Sequence, residues 1–253
     1  MIHYFVGDLG HLLVIVSFVT SLVAAFAYWK SRATHDVEAK HAWAINARIA
    51  FYAHTIAVAG VFVALFYIIY NHYFEYYYAY SHSSRHLPAH YMVSCFWEGQ
   101  EGSFLLWIFW QALIGIAIIH TQKKWEAPVM VVFALVQAFL ASMILGIVIP
   151  FADLKIGSSP FILLRDALPD PIFKIQPDFV PPDGSGLNPL LQNYWMVIHP
   201  PTLFLGFALT IVPFAFCMAG LWEKKYTEWV KPALPWTLLG GAILGLGILM
   251  GGY

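Results

Sequence analysis

An all-α membrane protein of about six transmembrane helices, with two substantial external loops, is the fold class this sequence predicts. Three observations predict it. Of the 253 residues, 60% are hydrophobic and only 11% charged, a composition far too apolar for a soluble domain of this length. Six runs approach the roughly 20 apolar residues that a helix needs to cross a bilayer. Basic residues concentrate in alternate loops, as they do in chains that cross a membrane repeatedly.

The predicted spans cover about 9–29, 48–70, 103–120, 128–149, 199–221 and 235–252. The first run has neither the basic region nor the small-residue cleavage site of a signal peptide, so it reads as a true span. The segments 30–48, 121–127 and 222–234 hold nine of the 13 basic residues: Lys30, Arg32, Lys40, Arg48, Lys123, Lys124, Lys224, Lys225 and Lys231. The positive-inside rule therefore puts the N-terminus and the loops at about 71–102 and 150–198 outside. Residues 1–253 read as a single transmembrane domain.

Within the second span lies His54, whose simplest reading is a hydrogen bond across helices; an intramembrane metal ligand is the alternative. The first external loop is dense in Tyr and His. Its tyrosine run 76–78 reads as interfacial. His82, His86 and His90 have i, i+4 spacing, but Pro88 interrupts, so a metal site there has little support. His120 reads as a helix-end residue.

The segment Trp97-Glu98-Gly99-Gln100-Glu101-Gly102-Ser103 opens the third span. Ser103 is positioned to cap that helix, and the glycines permit close backbone approach. Trp107 and Trp110 follow on one helix face, either as a platform for a flat aromatic ligand or as an ordinary interfacial belt. Six prolines between Pro160 and Pro182 argue against a continuous helix in the second external loop. Asn188-Pro189 reads as a turn feeding a short amphipathic piece.

Ile198-His199-Pro200-Pro201 then begins the fifth span. Proline is tolerated in a first helical turn, and the residue before proline is pushed out of the α region. His199 is thus expected at the mouth of a membrane helix. The positive helix end there keeps imidazole neutral, the form that binds a metal. A haem iron at the membrane surface suits this placement; a boundary histidine bonded to a carbonyl is the alternative. Six glycines crowd the last span (Gly240, Gly241, Gly245, Gly247, Gly251, Gly252), which suits tight helix packing or close approach of a cofactor. The apolar character runs on to Tyr253, which suggests a fragment or a split protein.

Net charge −1 gives no electrostatic ground for nucleic-acid binding. Cys95 and Cys217 form no CxxC or CxxCH motif, so the chain has no covalent c-type haem attachment site of its own by that motif and no evident zinc or disulfide framework.

Three stretches resemble, in order and spacing, the N-terminal part of the CcmF family of cytochrome c biogenesis proteins, the haem-lyase subunit of the Ccm system. They are Trp97 to Ser103 with Leu105-Leu106-Trp107, Leu187-Asn188-Pro189-Leu190-Leu191-Gln192, and Ile198-His199-Pro200-Pro201. The resemblance implies that His199 is an axial ligand to haem iron on the external face, with a b-type haem as cofactor. Trp97, Gly99, Gln100, Gly102, Trp107, Trp110, Asn188, Pro200 and Pro201 become the candidate cofactor-binding residues. Glu98 and Glu101 would place negative charge near haem propionates unless paired, for which Arg85 and Arg165 are candidates. No catalytic acid or base can be assigned. The family's tryptophan-rich loop, second external histidine and further membrane histidines are missing from this sequence, so the chain is expected to hold at most half of a haem site.

The resemblance implies ligation of haem to the CxxCH thiols of apocytochrome c. A haem chaperone, the apocytochrome, other Ccm membrane subunits and the remaining C-terminal part of the lyase would be partners. Three other readings stay open: a haem or anion transporter, a b-type electron carrier using His54, and an assembly subunit that only presents surface to partners.

Overall fold

The computed structural model describes residues 2–152 and 154–252. Six helices are long and apolar enough to cross a membrane. They are α1 (Tyr4–Ala33), α2 (Val37–Tyr70), α5 (Gln100–Thr121), α6 (Glu126–Met143), α9 (Tyr194–Trp222) and α10 (Val230–Gly251). Short helices α3 (Tyr77–His82) and α4 (Ala89–Glu98) lie between α2 and α5. A two-stranded antiparallel hairpin, β1 (Ile147–Ile149) and β2 (Leu154–Ile156), and the single-turn helices α7 (Leu164–Ala167) and α8 (Ile172–Ile175) lie between α6 and α9.

The element ends differ from the sequence expectation for local reasons. Helix α2 starts eleven residues before the predicted 48 because the Asp36 carboxylate accepts from the Ala39 amide, an N-cap that lets the helix extend beyond its apolar part. Helix α6 stops at Met143 rather than near 149. Gly146 turns the chain at φ +64°, with Ser159 packed where a side chain would stand, and the β-branched residues after it pair as strand.

Helices α1, α2, α5 and α6 form the main bundle, α9 leans on α5 and α6, and α10 packs chiefly on α9. One apolar cluster centres on Tyr28, Phe51, Phe133 and Phe216. A second, toward the long loops, centres on Leu65, Phe74, Phe96 and Leu105.

The N-terminus and both long loops meet on one face. His3 holds Glu75 through its amide and its ring at 3.0 and 2.7 Å, Tyr77 N–H donates to the Ile162 carbonyl, and Arg85 N–H donates to Asp183. The short turns meet on the other face, where Arg32 pairs with Glu223, Arg48 with Glu126, and Lys124 with Glu228. This is the arrangement that six alternating crossings require.

Candidate functional site

Tyr194 begins α9, five residues earlier than predicted, because the Asn193 side chain caps it by accepting from the Met196 amide. His199 is therefore within the helix, not extended at its mouth, and Pro200 and Pro201 lie inside the helix as well. A proline at position 200 supplies no amide for the Met196 carbonyl, which would be left unpaired. The Trp97 indole fills the gap, its Nε1–H donating to the Met196 oxygen at 2.9 Å. The pre-proline bias toward extended backbone is thus overridden by a tertiary hydrogen bond.

The His199 ring is half-buried between α9 and α10. Its Nδ1–H donates to the Gly247 carbonyl at 2.9 Å. A carbonyl only accepts, so this bond places a proton on Nδ1, and in the neutral tautomer it leaves the lone pair on Nε2. Nε2 has no hydrogen-bond partner among the described residues. A Cβ at Gly251 would stand 2.6 Å from the ring's Cε1 and 3.0 Å from Nε2, so only glycine lets α10 pack this closely against the ring. The ring sits beyond the first turn of α9, outside the reach of the helix-end field expected to act on it.

Trp107 reaches α9 one turn further along, packing on Phe204 and Phe207 at 6.3 and 5.6 Å between ring centres. The indole nitrogens of Trp107 and Trp110 are both enclosed without partners. Asn188 caps the 3-10 turn Pro189–Leu191 by accepting from the Leu190 amide. Its own amide donates to Glu98 Oε1 at 3.2 Å. The three motifs of the sequence are therefore joined: Glu98 holds Asn188, and Trp97 holds the helix of His199.

Several expectations change. Gly99 and Gly102 do not face open space. A Cβ at Gly99 would meet the Tyr78 ring and His82, and one at Gly102 would meet the Phe96 carbonyl and the Tyr78 hydroxyl. Tyr78 donates to the Phe96 carbonyl at 2.7 Å and accepts from the Gly99 amide, occupying the helix start that a propionate would need. Burial pushes its hydroxyl well above the ordinary tyrosine value, so it remains a neutral donor. Tyr76 is likewise buried, bonded to the His3 carbonyl and the Gly7 amide, so two of the three tyrosines in the run are internal posts and only Tyr77 is interfacial.

Ser103 does not cap α5; it lies in the first turn and donates to the Trp97 carbonyl. Gln100 is exposed at the first position of α5. Glu98 lies 3.3 Å from His82, whereas Arg85 and Arg165 hold Asp183 and Asp178 instead. His82, His86 and His90 share no helix face, because α3 ends at His82 and α4 begins at Ala89. His54 donates through Nδ1 to the Ser17 carbonyl at 2.8 Å, the cross-helix bond expected of it. Burial raises the Cys95 thiol to about 12, so it is no thiolate nucleophile.

Sequence reasoning missed Gly247 and Gly251 as site residues. Their i, i+4 spacing placed them on one face, but only the register of α9 against α10 shows that this face meets His199.

Fold and site together define a multi-pass membrane protein that presents a helix-embedded histidine between α9 and α10. The chain belongs to the Cytochrome C assembly protein family, which residues 97–253 match. It is 34% identical over 193 residues to the cytochrome c-type biogenesis protein CcmF of Haemophilus influenzae, covering 76% of this chain and 27% of that protein. It is 27% identical over 253 residues to CcmF of Pseudomonas aeruginosa, covering 98% and 35%. A solved structure of the cytochrome c heme lyase CcmF shares the fold with a TM-score of 0.72 at 22% identity, over 98% of this chain and 35% of that one. The chain thus spans about a quarter to a third of the length of these relatives.

Proposed function

We propose that this chain supplies part of a haem site for cytochrome c maturation, in which His199 would hold the haem iron. The site would lie on the periplasmic face of a bacterial inner membrane. The observation that carries the reading is the His199 ring, held by Nδ1 on the Gly247 carbonyl with Nε2 unpartnered. Histidine ligands to metals are oriented in this way, by a bond from the other ring nitrogen to a carbonyl or carboxylate. Family membership and the CcmF relatives support the same reading.

The residues present fit a haem: an imidazole whose Nδ1 is held on a carbonyl and whose Nε2 has no hydrogen-bond partner among the described residues. The haem would be of b type, held without covalent bonds to this chain, which has no CxxCH. When bound, it supplies the vinyl groups to which the cysteine thiols of an apocytochrome add to form thioethers. This chain's own residues bind and orient. His199 presents Nε2; Trp97 fixes the helix turn that carries it; Trp107 braces α9 through Phe204 and Phe207; Asn188 and Glu98 fasten the approach loop. Partners in this scheme are a haem chaperone, the apocytochrome, other Ccm membrane subunits and the part of a full-length lyase that these 253 residues do not span.

The test is the visible spectrum and pyridine haemochrome content of the protein beside His199→Ala, both expressed with the maturation machinery. The expected result is a loss of haem of about tenfold or more, typical of a disturbed metal site. Equal haem in the two would overturn the assignment.

A further inference from the structure

On the membrane face opposite His199, five cationic side chains from separate elements converge on one cavity of about 200 Å³. They are Arg32 from the end of α1, Lys40 from α2, Lys123 and Lys124 from the α5–α6 turn, and Lys225 from the α9–α10 turn, against a single lining carboxylate, Glu223. A second cavity of about 250 Å³ adjoins it and shares Lys40, Lys123 and Ala127. The positive charge is only partly answered within the chain. Glu223 is taken by Arg32 at 2.7 Å, and Glu228, at the rim, by Lys124 at 3.0 Å. In the adjoining cavity Glu126 is held by Arg48 through two bonds of 2.6 and 2.8 Å.

Lys40, Lys123 and Lys225 have no carboxylate partner among the described residues. Lys123 donates only to the Ile119 carbonyl, and Lys225 stands 5.7 Å above the Trp125 ring. Three ammonium groups without a carboxylate ion pair around one small cavity call for an anion with several acceptor oxygens.

We propose that this cavity binds the phosphodiester headgroup of an anionic phospholipid. The height of the cavity argues for a lipid source. Lys30 lies over the rings of Phe26 and Trp29 at 5.7 and 5.2 Å, and Arg32 lies over Trp222 at 5.3 Å. Aromatic rings with cations beside them mark the level of lipid headgroups. Val37, which lines the adjoining cavity, and Leu221 are exposed at the same end of the bundle and offer apolar surface to acyl chains. Basic pockets between membrane helices recognise lipid phosphates in this way. The cavity lies among α1, α2, α6 and the end of α9, so an anion there would add to the ion pairs that already join these helices.

The experiment uses the full 253-residue chain in nanodiscs and in detergent. Cardiolipin or phosphatidylglycerol is titrated against phosphatidylcholine, with native mass spectrometry and thermal melting as readouts. Anionic lipid should bind and raise the melting temperature, with an effect that falls as salt rises. The combined variant Lys40→Gln, Lys123→Gln, Lys225→Gln should bind it on the order of a hundredfold more weakly, from the typical worth of a basic residue at a lipid surface. Lys224→Gln with Lys231→Gln, outside the cavity, should bind as before. A Lys→Arg version of the triple variant should restore binding, which separates a lost site from a damaged fold. Equal binding of phosphatidylcholine, or undiminished binding by the triple Gln variant, would overturn the proposal. So would full displacement of the lipid by inorganic phosphate, which would mark a site for a soluble anion.

Discussion

The α1–α2 seam and the α9–α10 seam each hold one histidine by the same device, and they use it differently. His54 and His199 both donate Nδ1–H to a carbonyl of the facing helix, Ser17 in one case and Gly247 in the other. His54 is wholly buried in a dense bundle and its Nε2 is enclosed without a partner. His199 is only half-buried, beside a glycine and a helix, α10, whose apolar window is just 17% buried. The two rings therefore share the hydrogen bond and differ in the exposure of the second nitrogen, the property that the proposed ligand role needs.

The largest expected effect breaks the two apart. His199→Ala should remove haem by about tenfold or more while changing stability by no more than about 1 kcal/mol, the worth of one half-exposed hydrogen bond. His54→Ala should leave haem content unchanged and cost about 2–4 kcal/mol through a buried cavity and the lost cross-helix bond. Haemochrome assay and thermal melting measure both, and an exchange of the two outcomes would undo the comparison. Gly251→Leu tests the space itself. Its side chain would occupy the His199 edge, and haem should fall about as far as in the alanine variant. Gly245→Leu, with nothing within 4 Å of its Cβ, should behave as wild type in the same assay.

A smaller effect is expected at Trp97→Phe. The ring stays but the Met196 carbonyl loses its donor, so melting should report a loss of about 1–3 kcal/mol, with a shifted haem absorption band as His199 loosens. The smallest is a pH effect remote from both seams. Amide bonds from Arg85 and Gly184 hold the Asp183 carboxyl below its ordinary value. A lowered folded-state value gives stability that is present above the ordinary carboxylate range and lost as pH falls through it. Wild type should show a shallow acid decline in melting temperature that Asp183→Asn lacks.

The six spans were legible because apolar composition over some 20 residues leaves a membrane helix few alternatives. Their ends were not, since Asp36, Gly146 and Asn193 act through individual caps and turns. The tyrosine run shows a deeper limit. Tyr76 and Tyr78 are built from the same residue type as interfacial Tyr77, and only the folding back of the N-terminus and of α4 buries them. His199 was legible as a ligand candidate from its neighbours in sequence. Its true environment was not, because the Trp97 bond and the Gly247 carbonyl come from residues 99 positions before Met196 and 48 after His199.

The indole that stands in for the amide missing at Pro200 has a consequence for inheritance. Replacing Pro200 with alanine would return an amide to the Met196 carbonyl and make the Trp97 donor redundant. Loss of the indole alone leaves the Met196 carbonyl without a donor, whereas loss of the indole together with Pro200 leaves that carbonyl bonded to the new amide. A double-mutant cycle between these positions should therefore be strongly non-additive. Two segments nearly a hundred residues apart would then be bound to vary as one unit, a constraint that neither motif displays when read alone.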